Sequence, residues 1–174
     1  FDRVVLNPWV VQSGQVGLVS GDLSTFAAGA SFVYRATVPA TADEYSEAVY
    51  SAAFNPVTAL QVFVRRRTSD LQRYGCHYNP RAGVTRWEIK LDGAVGAPVI
   101  ASGLFPPPVP GDTIRIEAAG PEIRCFHNGA LLLVVTNSVL TAPGQIGLVM
   151  STMGLSGLPY PLRFAASWGG GSLP

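Results

Sequence analysis

Apolar and polar residues alternate along this chain in short runs, and almost no stretch of about ten or more residues carries apolar positions at helical spacing. The alternation predicts an all-β protein with strands over 3–11, 14–19, 30–38, 44–53, 59–66, 71–78, 84–91, 98–101, 112–118, 122–127, 130–136, 145–150 and 161–168. One open sheet of that many strands would curl or split, so the strands are expected to stack as two antiparallel sheets. The intervals carry turn chemistry: Asn79-Pro80, Asp92-Gly93, Gly111-Asp112, Asn128-Gly129 and Pro143-Gly144 each fall between runs. Asn128-Gly129 is the strongest, because a two-residue hairpin loop needs positive φ at both central positions.

Two segments look unlike strands. Phe105-Pro106-Pro107-Pro108-Val109-Pro110 is expected to form a stiff connector, since proline cannot donate to a sheet ladder. The Gly169-Gly170-Gly171-Ser172 tail suggests the start of a flexible linker over 169–174, which leaves 1–168 as a single sandwich domain.

Composition narrows the function classes. The chain has 174 residues, 48% hydrophobic and 13% charged, enough apolar surface for one well-packed domain. Its 12 Lys and Arg face 11 Asp and Glu, so the basic surplus that drives nucleic-acid binding is missing and no such partner is expected. The longest uninterrupted apolar run, Ala130 to Val135, falls well short of the roughly 20 residues of a bilayer span. The opening Phe1-Asp2-Arg3, without Met, suggests a piece of a larger protein.

Alternation also sorts side chains between faces in the meander from Ala59 to Leu91. Leu60, Val62 and Val64 share one parity, as do Trp87, Ile89 and Leu91, and both sets are expected to point inward. The opposite parity collects Gln61, Phe63, Arg65, Arg86, Glu88 and Lys90. Burying Tyr74, Cys76 and Tyr78 on the middle strand turns Arg73, Gly75 and His77 outward beside them. Gln61, Phe63, Arg65, Arg73, His77, Arg86 and Glu88 thus form a candidate ligand-binding face, on which Phe63 would pack against sugar CH groups and the polar groups would bond hydroxyls. Trp9 and Trp168 are expected in the core.

Other constellations point to less. The acidic cluster Asp43, Glu44 and Glu47 suggests a solvated strand start, because Asp43 and Glu47 would lie roughly 13 Å apart along a strand, too far for a glycosidase pair. No Gly-x-Ser-x-Gly elbow exists, so no catalytic residue is assigned. Cys76, His77, Cys125 and His127 make a zinc-like set, yet strand neighbours point to opposite faces, so no metal and no cofactor is expected. Two buried free thiols are the expected state of the cysteines, with a Cys76–Cys125 disulfide as the alternative. Arg65-Arg66-Arg67 suggests a charged sheet edge that discourages strand addition.

The order of several pieces carries a resemblance. Phe1-Asp2-Arg3, Trp9, Asp43-Glu44-Tyr45-Ser46-Glu47, Trp87-Glu88-Ile89-Lys90-Leu91-Asp92-Gly93, Gly111-Asp112-Thr113-Ile114-Arg115-Ile116-Glu117, Cys125-Phe126-His127-Asn128-Gly129, Gly144-Gln145-Ile146-Gly147-Leu148 and the closing 164–168 together resemble concanavalin A-like (LamG-type) jelly-roll modules over essentially the whole chain. The resemblance implies a two-sheet antiparallel jelly-roll sandwich. It also implies glycan binding, adhesion or structural projection, as in secreted bacterial carbohydrate-active proteins and bacteriophage tail or fibre proteins. Ala166-Ser167 stands where the family often has an acidic residue before its final aromatic, and no Asp/Asn cluster suited to calcium is evident.

The expected function is a non-catalytic glycan-binding or structural module of a larger extracellular or virion protein. The alternatives are a glycoside hydrolase or lyase of the same fold, or an assembly subunit that forms oligomers through apolar loops such as 105–109 and 155–160.

Overall fold

The computed structural model describes residues 9–13, 16–19, 22–25, 29–51, 58–79, 86–152 and 162–174. In chain order the strands are β1 (Trp9–Ser13), β2 (Val16–Val19), β3 (Asp22–Thr25), β4 (Gly29–Arg35), β5 (Glu44–Tyr50), β6 (Thr58–Arg66), β7 (Arg73–Asn79), β8 (Arg86–Asp92), β9 (Val99–Gly103), β10 (Thr113–Ala119), β11 (Glu122–His127), β12 (Ala130–Thr136), β13 (Gln145–Thr152) and β14 (Leu162–Ser172). They form two seven-stranded sheets ordered β1-β4-β13-β6-β7-β8-β9 and β12-β11-β10-β5-β14-β3-β2, the expected antiparallel jelly-roll sandwich.

The core lies where alternation places it. Leu60, Val62 and Val64 of β6, Tyr74, Cys76 and Tyr78 of β7 and Trp87, Ile89 and Leu91 of β8 meet Ala48, Tyr50, Ile114, Ile116, Ala118, Ile123 and Cys125 of the other sheet. Two polar groups inside are paired: Trp87 Nε1 donates to the Pro106 carbonyl at 2.9 Å, and Ser46 Oγ donates across the sandwich to Gly147 O at 3.0 Å. The proline-rich connector is thereby pinned to the core, and Phe105, offered above as an assembly contact, packs against it instead. The second such loop, 155–160, lies outside the described residues, as do 1–8 and the Trp9 side chain. Trp168 is partly buried against the core.

Three expectations are corrected. The cysteines are bonded: Cys76 on β7 and Cys125 on β11 sit 6.0 Å apart at Cα and form a disulfide that ties the sheets through the core. The glycine tail is no linker through Ser172, because 169–172 continue β14 and pair with 44–47 of β5. A Cβ at Gly170 would lie 2.6 Å from Ile146 Cδ1, so the glycine there serves close strand packing. Glu44, finally, is fully buried, since β5 alternates Glu44, Ser46, Ala48 and Tyr50 inward.

The Asn128-Gly129 turn is formed as expected, with φ of 51° and 76°. Gly129→Ala is expected to cost about 1 kcal/mol, the price of a β-carbon in the left-handed region, read as a lower urea midpoint at unchanged slope.

Candidate functional site

The outer face of the first sheet is built by register. Gln61 on β6 stands opposite His77 on β7 and Val149 on β13. Phe63 stands between Gly75 and Gly147. The rows extend from His77 to Glu88, from Gly75 to Lys90 and from Arg73 to Asp92 on β8. In the other direction they reach Phe32 and Tyr34 on β4 through Val149 and Gly147. The sheet therefore brings together Gln61, Phe63, Arg73, His77, Arg86 and Glu88 of the sequence-derived face.

Arg65 is the exception. Between the pairs Gln145↔Arg66 and Gly147↔Phe63, β6 contains one residue more than β13, a bulge at which Arg65 takes φ of 52°. One extra residue reverses parity, so Arg65 turns between the sheets. Its Nε and Nη2 donate to Ala42 O at 2.9 and 2.8 Å, and Nη1 donates to Leu140 O at 2.9 Å. Arg66 takes its place on the outer face, over the Tyr34 ring and hydrogen-bonded to Gln145 and Gln12.

A continuous polar network crosses β6, β7 and β8. Gln61 Nε2 donates to Asp92 Oδ2 at 2.6 Å and lies 3.4 Å from His77 Nδ1. His77 Nε2 lies 3.4 Å from Glu88 Oε2, whose other oxygen pairs with Arg86 Nε at 2.9 Å. With an amide donor on Nδ1 and a carboxylate on Nε2, the fitting form of His77 is the neutral Nε2–H tautomer. Burial pushes its pKa below the ordinary value, partly opposed by Glu88 and Asp92. Asn79 Nδ2 adds a 3.3 Å bond to Glu88, and Lys90 and Arg73 approach Asp92 at 3.8 and 3.7 Å.

The aromatic part is more covered than alternation suggests. Phe63 is fully buried, with its ring tip 2.6 Å from where a Cβ of residue 147 would sit. Arg73 stacks above both Phe63 and Phe32, at 5.5 and 4.9 Å from the ring centres. Phe63 is thus not a free platform for sugar CH groups, as expected above; it is the floor on which Arg73 rests. Arg86, with its side chain 45% exposed, and Lys90 form the accessible rim.

Sequence reasoning missed Arg66, Asp92, Phe32 and Tyr34. Asp92 continues the parity of Glu88 and Lys90 and was hidden only by its role as a turn residue before Gly93. Phe32 and Tyr34 reach the face through strand order, which one sequence does not display.

Among the described residues no group of three or more His, Cys, Asp and Glu is arranged to hold a metal ion. The disulfide occupies both sulfurs of the zinc-like set, and His127 instead pairs with Asp112 at 2.8 Å. Glu88 and Asp92, four residues apart on β8, are linked on this face through His77 and Gln61. No helix among the described residues is long and apolar enough to cross a membrane.

The fold has clear counterparts among solved structures. The chain superposes on the carbohydrate-binding module CBM66 from Bacillus subtilis with a TM-score of 0.71 and 18% identity, covering 95% of this chain and 96% of that one. The metal-free carbohydrate recognition domain of Emp46p gives a TM-score of 0.71 at 12% identity, over 97% and 90% of the two chains. A legume lectin-like domain from Entamoeba histolytica gives 0.65 at 10% identity, over 97% and 92%. No family model and no curated protein sequence matches. The fold shared with these domains is the two-sheet jelly-roll sandwich, the architecture that the sequence resemblance implied.

Proposed function

We propose that this chain is a carbohydrate-binding module of a larger protein and that glycan is held on the outer face of the first sheet. The observation that carries this reading is the contrast between the two outer faces. In β5, β10 and β11 inward residues are buried and outward ones are half-exposed, the ordinary pattern of a sheet with one wet side. In β7 both parities are buried, and the outward one carries charged and amide groups. Such groups stay out of water only where partners are organised around them, and organised donors and acceptors are what sugar hydroxyls require.

Solved neighbours that are themselves named as carbohydrate-binding domains support the same reading. The Cys76–Cys125 bridge supports a place in an oxidising compartment, as part of an extracellular or virion protein acting in adhesion.

Calorimetry against a polysaccharide panel tests the proposal. Arg86→Ala and Lys90→Ala, at the rim, are expected to weaken binding about fivefold each, the worth of one hydrogen bond of roughly 1 kcal/mol. Arg124→Ala, which removes an ion pair to Glu122 on the other sheet, is expected to leave binding unchanged. Silence across the panel, or equal losses from both faces, would overturn the assignment.

A further inference from the structure

Charge on the candidate face is out of balance. Among the described residues it carries Arg66, Arg73, Arg86 and Lys90 against Glu88 and Asp92, with His77 held neutral by burial. Glu88 is committed to Arg86, His77 and Asn79. Asp92 is shared among Gln61, Arg73 and Lys90, and only the Gln61 contact is a hydrogen bond. Neither carboxylate reaches Arg66. Among the described residues the partners of Arg66, itself 4% exposed, are neutral: the side chains of Gln145 and Gln12 and the Tyr34 ring.

Arg73 is also underused. It is 8% exposed, its one hydrogen bond among the described residues runs from Nη1 to Leu71 O at 3.3 Å, and its buried Nε has no partner there. The two arginines stand at one end of the β6–β7 ladder, since Val64 pairs with Tyr74. They are close enough for the Arg66 charge to add to burial in lowering the Arg73 pKa. Among the described residues the two neighbouring buried arginines carry two positive charges against a single carboxylate, Asp92, which approaches Arg73 at 3.7 Å and is shared with Gln61 and Lys90.

We propose that Arg66 and Arg73 form an anion subsite that takes the carboxylate of an acidic polysaccharide, a polyuronate, while the Gln61–His77–Glu88 network meets the hydroxyls of the same chain. The inference rests on the carbohydrate-binding reading and names its ligand class. A guanidinium offers planar paired donors that match a planar carboxylate, and the free Arg73 Nε supplies one such donor. Phe63 and Phe32 beneath Arg73 fix the plane of that fork, so the donor is oriented before the ligand arrives.

The test uses polygalacturonate, polymannuronate and hyaluronan, each beside its carboxyl-reduced form, with neutral β-glucan and a sulfated polymer as further arms. At least one polyuronate is expected to bind, at least tenfold more tightly than its carboxyl-reduced form, with affinity falling as salt rises. Arg73→Lys keeps the charge and removes the fork, and is expected to weaken that binding about tenfold with little change in thermal midpoint. Should that variant fail to fold, the native and reduced polymers on the unaltered protein still decide the matter. Equal binding of native and reduced forms, or binding of neutral glucan alone, overturns the acidic assignment and leaves carbohydrate binding standing. Preference for the sulfated polymer overturns the carboxylate. Failure of every polymer overturns both readings.

Discussion

Replacing Cys76 and Cys125 together with alanine is expected to lower the unfolding free energy by about 4 kcal/mol. The bridge closes a loop with a sequence separation of 49, and the chain-entropy relation assigns about 4 kcal/mol to the lost freedom of an unfolded chain so constrained. The loop contains β8, β9 and β10, so the constraint joins β7, inside one sheet, to β11, which lies next to the edge strand β12 of the other. For a domain of this size the loss corresponds to a drop of about 10 °C in thermal midpoint. Urea unfolding of the double variant, and of the unaltered protein with and without reductant, measures it. Alanine leaves no polar atom unpaired in the fully buried Cys76 and Cys125 positions, so the reading is of the cross-link itself. A change below about 1 kcal/mol would mean that the folded pair of sheets, and not the cross-link, supplies the stability.

The same cysteines show where sequence reading stops. Period-two alternation assigned the faces of β6, β7 and β8, because a buried meander must put Leu60, Val62, Tyr74, Cys76, Trp87 and Ile89 on one side. Alternation within strands is silent about which strands of the two sheets meet. Free thiols and a bridge therefore look the same in sequence, and only stacking of β7 on β11 separates them. Arg65 marks a second boundary: nothing in Val64-Arg65-Arg66 announces a bulge, yet one added residue exchanges the roles of two neighbouring arginines. The tail marks a third. Three glycines suggest a linker by composition, but at Gly170 the missing side chain is what lets β14 lie against Ile146 and the β5 backbone. The short β3, Asp22–Thr25, is likewise too brief and too polar to show in the pattern.

Glu44 leads to the other large effect. Burial pushes its carboxyl from an ordinary 4.5 up to about 7, against the opposing pull of N–H donors from Arg65 and Gly144 and of the Arg65 charge. Its Oε1 accepts from the Arg65 backbone at the bulge, and Oε2 lies 3.4 Å from the Gly144 nitrogen. The Arg65 guanidinium spends its donors on Ala42 and Leu140 carbonyls, which leaves the carboxylate short of compensation.

Because the folded pKa lies above the unfolded one, the folded state holds a proton that the unfolded state has released between pH 4.5 and about 7. The stabilisation is complete below pH 4.5 and is lost as pH rises through about 7, by up to roughly 3 kcal/mol at 1.36 kcal/mol per unit. Glu44→Gln removes the titration. Its amide oxygen keeps the bond from Arg65 N and its NH2 faces Gly144 N. The variant is therefore expected to be about 1 kcal/mol less stable than the unaltered protein at pH 5 and equal or more stable at pH 8. Urea midpoints across that range measure both slopes, and parallel profiles for the two proteins would show that the proton is held elsewhere.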